Sequence, residues 1–254
     1  MSRTLRFFTL FLVYAFLLIG WQLFASTNSG PQSLFAGPIE IVQAIYDRRN
    51  SLWEASLVTL SEAIAGLLLA IVLGLVVAIM VDSVRLVGPT AYRLSVILYS
   101  VPLIALAPIL VLWFGPTFTA RAITAMVASF LPIVINVVQG LRGAPLAVSE
   151  LGESLAMSRF AILLSMRFRF ALPAFFASLK IAGPSAFIAA MISEWINAEV
   201  GLGINLLYSM FSFNVEALWA NLVVATFWSG VIYIAFDFIA KRATPWHASS
   251  GVGS

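Results

Sequence analysis

Residues 57–80 read LVTLSEAIAGLLLAIVLGLVVAIM, an apolar run of helix length whose one ionisable side chain is Glu62. A helix needs about 20 mostly apolar residues to cross the hydrocarbon core of a bilayer. Inside lipid the backbone must satisfy its own hydrogen bonds, and a helix does so within a single segment. The run therefore predicts a membrane-spanning helix.

Similar runs recur along the chain, and they set the fold class. The chain has 254 residues, of which 61% are hydrophobic and 10% charged, and its mean hydropathy is +1.02. A soluble domain would carry about 25% charged residues, so the composition excludes a soluble globular enzyme, and it also excludes a disordered chain. We predict an all-α polytopic membrane protein that forms one domain over residues 1–254. The six predicted spans are residues 7–25, 57–80, 94–114, 120–140, 172–195 and 218–240.

Basic residues predict the orientation. With the N-terminus in the cytoplasm, ten of the 14 Lys and Arg residues fall on inner segments, and Lys180 falls inside the fifth span. The three on outer segments are Arg48, Arg49 and Arg121. This bias predicts that both termini are cytoplasmic. The first span also resembles a secretory signal, but its length favours an anchor that stays in the protein.

The longest inner segment, residues 141–171, is the candidate docking region. Pro145 interrupts the preceding structure, and Ser149 is a plausible N-cap with Glu150 and Glu153 in the first turn of a helix. The segment is long for a mere connector between neighbouring spans. We therefore predict a helical hairpin that docks a partner, with an ordinary solvated loop as the alternative.

Catalytic and metal-binding motifs find little support. The chain has no Cys, and its two lysines, Lys180 and Lys241, do not follow Gly, so a phosphate-binding glycine loop is missing. His247, the single histidine, has no neighbouring acids for a metal site or a triad. We predict a chain that is not catalytic alone and binds no metal or cofactor. An intramembrane enzyme stays as a weaker alternative, resting on Glu62 and Lys180.

Prolines within the predicted spans suggest where a solute pathway could lie. Pro102, Pro108, Pro132 and Pro184 each remove a backbone donor, and broken helices commonly line transport pathways. Polar side chains in a membrane also hold helices together, which is the alternative for each candidate. The candidate path residues are Ser100, Pro102, Ser129, Asn136, Gln139, Ser185 and Glu62.

Three groups of residues carry a resemblance to a known family. The first runs from Tyr99-Ser100-Val101-Pro102 to Trp113-Phe114-Gly115, and the second joins Ser193-Glu194 to Gly201-Leu202-Gly203. The third is the loop from Glu150-Leu151-Gly152 to Ala171-Leu172-Pro173. The chain resembles the permease subunits of binding-protein-dependent ABC importers, closest to the nitrate, taurine, sulfonate and thiamine-precursor group. Residues 54–242 carry the resemblance best.

The resemblance implies a type I-like importer permease in the bacterial inner membrane. Its implied partners are two ATPase subunits that bind ATP and Mg²⁺, a second permease, identical or different, and a periplasmic or lipid-anchored binding protein, with no nucleic acid. The loop departs from the family at Ala156, where the family prefers Gly. A carrier or channel that works without nucleotide is the alternative function. The implied ATPase-coupling residues are Glu150, Leu151, Gly152, Glu153, Leu155, Ala156, Ser158 and Phe160.

Overall fold

The computed structural model describes residues 3–27, 35–84, 88–196 and 198–248, and within these ranges every regular element is helical. The side chain of His247 lies outside the described part. These elements confirm the all-α class. The helices are α1 (Arg3–Thr27), α2 (Pro38–Asp47), α3 (Arg49–Ser83), α4 (Gly88–Tyr99), α5 (Leu103–Phe114), α6 (Phe118–Arg142), α7 (Leu146–Ser154), α8 (Arg159–Ile162), α9 (Phe168–Glu194), α10 (Leu202–Phe211), α11 (Val215–Ala243) and α12 (Pro245–Ala248).

Four helical stretches in the described ranges are long and apolar enough to cross a membrane. Three are α3, α6 and α11, and the fourth is the continuous helix Arg159–Glu194, in which a π-helical turn at Leu163–Arg167 joins α8 to α9. The predicted fifth span, residues 172–195, is therefore too short at its N-terminal side. The first predicted span, residues 7–25, lies within α1.

The third predicted span is not one helix. Instead of a continuous run over residues 94–114, α4 and α5 meet at a bend of 96°. The break falls at Ser100–Pro102, where Pro102 supplies no backbone donor and disfavours a helical conformation in the residue before it. If this bent pair counts as one span, the described ranges hold five candidate spans.

Helices α3, α6 and α9 form the core of the molecule. Their facing surfaces are rich in small residues, and Ala70, Ala125 and Ala182 are fully buried. Gly66 of α3 lies so close to α6 that an added Cβ would overlap the carbonyl oxygen of Ala122. Small residues let helix backbones approach closely, which is how helices gain packing energy in lipid. The core is therefore set by close contact between backbones.

The core has two ends, each of which carries its own loops. The loop end carries residues 143–158, and the far end carries residues 115–117 and 195–201. Helices α3 and α6 run from the far end to the loop end, and α9 returns.

An ion pair joins α9 to α11. Lys180 pairs with Asp237, which also pairs with Lys241 at 2.6 Å. Asp237 and Lys241 are i,i+4 neighbours on α11, whereas Lys180 finds its partner on another helix.

Candidate functional site

The coupling segment, defined here as residues 145–167, lies at the loop end. Helix α7 begins directly after Pro145, and its first turn holds no acidic residue. The prediction of Ser149 as N-cap is therefore wrong, because Ser149 lies one turn inside the helix. Proline at the boundary explains the earlier start, since its fixed φ angle suits the beginning of a helix and it needs no backbone donor.

Helix α7 ends in a Schellman motif. The Ala156 N–H donates to the Glu153 carbonyl at 2.9 Å, and the Met157 N–H donates to the Gly152 carbonyl at 3.0 Å. The motif places Ala156 at φ +55°, the left-handed conformation that such helix ends usually give to glycine. Alanine is strained there because its Cβ approaches the following carbonyl oxygen. The place where the loop departs from the family pattern is thus the place where glycine would fit best.

Two of the predicted coupling residues hold the segment together internally. Gly152 is buried against α8, and a Cβ at this position would overlap the Ile162 side chain. The Ser158 hydroxyl accepts a hydrogen bond from the Ala161 N–H at 3.2 Å and so caps α8. Both residues shape the coupling segment from inside.

The coupling segment is fixed to the core through Arg167. Its guanidinium donates to both carboxylate oxygens of Asp82, at 2.8 and 3.0 Å, and to the carbonyl of Leu141 at 2.9 Å. Asp82 ends α3 and Leu141 ends α6. A bidentate pair of this kind restricts both distance and orientation. Any movement of the segment is therefore transmitted to α3 and α6.

The outer face of the coupling segment is apolar and unpaired by the rest of the described chain. Leu155 is 63% exposed and Phe160 is 62% exposed, and Leu151 and Glu150 are exposed beside them. Leu146, which the sequence analysis missed, is 81% exposed at the start of α7. Contiguous exposed apolar side chains mark surfaces that meet a partner. The arrangement suits docking, and the assignment of these residues to coupling stays a prediction.

Three of the candidate path residues come together. Ser100, Pro102 and Ser185 line a cavity of about 410 Å³ between the α4–α5 bend and helices α6 and α9, with Tyr99 and Ile188. The two serine hydroxyls donate to carbonyls one turn earlier in their own helices. Every described residue that lines the cavity is uncharged.

The other candidate path residues lie elsewhere. Ser129 is fully buried, and its hydroxyl is 2.8 Å from the Ala125 carbonyl and 3.0 Å from the Ala182 carbonyl, so it joins α6 to α9. The Asn136 amide donates to the Pro132 carbonyl at 2.8 Å, and Gln139 is exposed. Ser129 thus joins two helices, which was the alternative role given for a polar side chain in a span.

Glu62 belongs to a buried polar cluster near the far end, which we call the far-end cluster: Thr59, Glu62, Arg121, Glu194 and Gly203. Glu62 of α3 forms an ion pair with Arg121 of α6. The Thr59 hydroxyl donates to Glu194 of α9 at 2.6 Å, and the Gly203 N–H of α10 donates to its other oxygen at 2.6 Å. The cluster joins four helices.

Position 203 requires glycine because α10 begins very close to α9, and an added Cβ would overlap the carbonyl oxygen of Met191. Sequence analysis noted Ser193-Glu194 and Gly201-Leu202-Gly203 as a motif but did not predict α10 or the cluster. The spacing of the motif was the available signal. The partners from α3 and α6 are too distant in the chain for periodicity to reveal.

In the described ranges, His, Asp and Glu side chains form no group of three or more that could hold a metal ion. The candidate sites are therefore surfaces, a cavity and a polar cluster.

Comparison with known proteins identifies relatives over most of the chain. Residues 66–246 match the family described as "Binding-protein-dependent transport system inner membrane component". A Haemophilus influenzae protein named "Probable ABC transporter permease protein" is 31% identical, with 91% of this chain and 94% of the relative covered. The formylaminopyrimidine transport permease protein of Halalkalibacterium halodurans is 29% identical, with 92% and 94% covered. The riboflavin transport system permease protein of Chloroflexus aurantiacus is 25% identical, with 92% and 88% covered.

Solved structures share the fold. An inward-facing conformation of the MetNI methionine ABC transporter matches with a TM-score of 0.66 and 21% identity, covering 77% of this chain and 95% of that chain. An amino acid ABC transporter crystallised with histidines matches with a TM-score of 0.60 and 15% identity, covering 79% and 95%.

Proposed function

The chain belongs to the family of binding-protein-dependent transport system inner membrane components, and we propose that it forms, with a second permease subunit, the solute path of an ATP-driven importer. The observation that carries this proposal is the coupling segment: an exposed apolar face of Leu146, Leu151, Leu155 and Phe160 that is anchored to the core by the Arg167–Asp82 pair.

In this proposal the coupling segment receives movement from a separate motor. Two cytosolic ATPase subunits hold ATP and Mg²⁺, and one of them binds the exposed face of α7 and α8. The Arg167 anchor then carries the displacement to the ends of α3 and α6. An extracytoplasmic binding protein delivers the solute at the far end. The chain itself performs no covalent chemistry, and its relatives are named as permeases.

The proposal sets the orientation of the molecule. The loop end and both termini lie in the cytoplasm of a bacterium, and the far end faces outward from the inner membrane. The bias of Lys and Arg toward the inner segments supports this orientation.

The docking proposal can be tested with charge-introducing variants. We expect Leu155→Asp, Leu151→Asp and Glu150→Arg to abolish co-purification of the chain with its cognate ATPase, and to abolish ATP-driven uptake. All three side chains are exposed, so the variants should fold. The matched control is Phe211→Asp, which places the same charge on a 69% exposed apolar residue of α10. It must leave ATPase binding unchanged.

Retention of assembly and uptake in all three loop variants would contradict the proposed docking surface. Solute uptake by the purified chain in liposomes without nucleotide would favour the carrier or channel instead. Purification of two differently tagged copies distinguishes a homodimer from a pair of different permeases.

For the cargo we propose an uncharged planar heterocycle of the pyrimidine or flavin type. Relatives at 29% and 25% identity are named for formylaminopyrimidine and riboflavin. The cavity at the α4–α5 bend supports this choice, because Tyr99 and Pro102 offer apolar surface, Ser100 and Ser185 offer hydroxyls, and none of its described lining residues offers a positive charge for an anion.

The cognate binding protein provides the test of the cargo. Pyrimidines and flavins should raise its melting temperature, whereas taurine, nitrate and bicarbonate should not. In the intact transporter, Ser185→Val should then reduce uptake of the same solute without weakening ATPase binding. If only an anion raises the melting temperature of the binding protein, the cargo is that anion and not a heterocycle.

A further inference from the structure

One oxygen of the far-end cluster has no hydrogen-bond partner. Glu62 is fully buried, and its Oε1 accepts from the Arg121 guanidinium, but its Oε2 meets no donor among the described residues. An unpartnered buried carboxylate oxygen is expensive, because the charge loses its hydration and gains nothing in return.

The neighbouring carboxylate is already fully engaged. Glu194 Oε1 accepts from the Thr59 hydroxyl, and Oε2 accepts from the Gly203 N–H at the start of α10. The Thr59 hydroxyl also lies 3.0 Å from the Ala55 carbonyl, so Glu194 can accept the hydroxyl hydrogen or, when protonated, donate to the hydroxyl oxygen. Glu62, which is paired with Arg121, has no such partner for its second oxygen among the described residues.

The number of charges in the cluster also indicates a bound proton. Arg121 is the one positive charge that acts on Glu62 and Glu194, and the two carboxyls also act on each other. Two carboxylates and one guanidinium would leave one uncompensated negative charge in a buried site. Burial of an uncompensated charge is strongly unfavourable. One bound proton would make the cluster neutral.

We propose that the far-end cluster is a proton-binding site, in which the Glu62 and Glu194 carboxyls share one proton and Arg121 balances the remaining negative charge. The proton comes from water, one O–H bond forms, and no other covalent bond changes. The protonated cluster then holds the far ends of α3, α6 and α9 and the start of α10 together. Loss of the proton at high pH restores the uncompensated charge and loosens this end.

Infrared spectroscopy of the full-length chain in lipid nanodiscs observes the proton directly. At neutral pH we expect a carbonyl stretch from a protonated carboxyl group that shifts in heavy water. The band should disappear in Glu62→Gln, which leaves one carboxylate for one guanidinium, and remain in Glu54→Gln, where the carboxyl is exposed. Absence of the band in the unaltered protein would overturn the proposal without any variant.

Stability provides the second measurement. Glutamine imitates a neutral Glu62, so Glu62→Gln should keep the melting temperature and remove the loss of stability at high pH. Glu194→Gln should lower the melting temperature by at least about 4 °C, because an amide nitrogen would face the Gly203 N–H or the Thr59 hydroxyl. A loss of stability at high pH that persists in Glu62→Gln would overturn the proposal. Stabilisation by Na⁺ or Li⁺ at constant pH would show that the site binds a metal cation instead of a proton.

Discussion

At the scale of a single residue, Ala156 lowers the stability of the coupling segment. Its φ of +55° closes the Schellman motif at the end of α7, and an alanine in that conformation is strained by about 1 kcal/mol relative to glycine. We expect Ala156→Gly to raise the stability of the protein by about this amount, measured as a higher melting temperature.

The control for this prediction is the same substitution in an ordinary helical position. Ala147 is exposed in the first turns of α7, where glycine costs up to about 1 kcal/mol. Ala147→Gly should therefore lower the melting temperature. A decrease for both variants would show that the left-handed turn is not strained in solution.

The residue scale also shows what sequence reasoning can and cannot supply. The composition around Glu62 identified it as an unusual group in an apolar helix, but its partner Arg121 lies 59 positions away. Lys180 and Asp237 are 57 positions apart. Helical periodicity relates only neighbours three or four positions apart, so the pair of Asp237 and Lys241 was predictable and the pairs between helices were not.

At the scale of elements, the packing of α3 on α6 depends on Gly66. We expect Gly66→Ala to lower stability by roughly 1–3 kcal/mol, because the new Cβ meets backbone atoms that cannot move aside. Thermal unfolding in detergent or nanodiscs measures the change.

Gly230 of α11 is the matched control, since an added Cβ there meets nothing within 4 Å. Gly230→Ala should be neutral or stabilising by up to about 1 kcal/mol, because alanine favours the helix. Similar losses of stability at both glycines would show that the loss at Gly66 does not come from its close approach to α6.

The existence of the long helices was predicted where one physical rule dominated, although α3 begins eight residues before the predicted span at residues 57–80. Long apolar runs gave α3, α6 and α11, because the bilayer requires helices there. The break between α4 and α5 was missed as a boundary, although Pro102 was recognised as an interruption. Helix α10 was missed because an apolar stretch of ten residues is too short to distinguish from a loop by periodicity.

At the scale of the whole molecule, the Asp82–Arg167 pair is the link between docking surface and core. We expect Asp82→Asn to leave the ATPase bound, because the exposed face is unchanged, and to reduce solute uptake per ATP hydrolysed by roughly tenfold. Uptake and ATP hydrolysis in proteoliposomes measure this ratio.

Arg167→Lys is the companion variant, because it keeps the charge and loses the two-point contact with Asp82. It should be impaired in the same direction as Asp82→Asn. Full coupling in both variants would show that movement reaches the core by another route.

The uninterrupted helix Arg159–Glu194 also acts as a lever. It has 36 residues, and at 1.5 Å per residue it measures roughly 54 Å. One tip lies in the motor-binding region, and the other carries the carboxylate that fastens α10. A tilt of about 5° pivoting at one tip would sweep the opposite tip through roughly 5 Å. In the proposed importer, nucleotide-driven motion at one tip and solute entry at the other would therefore involve the same helix.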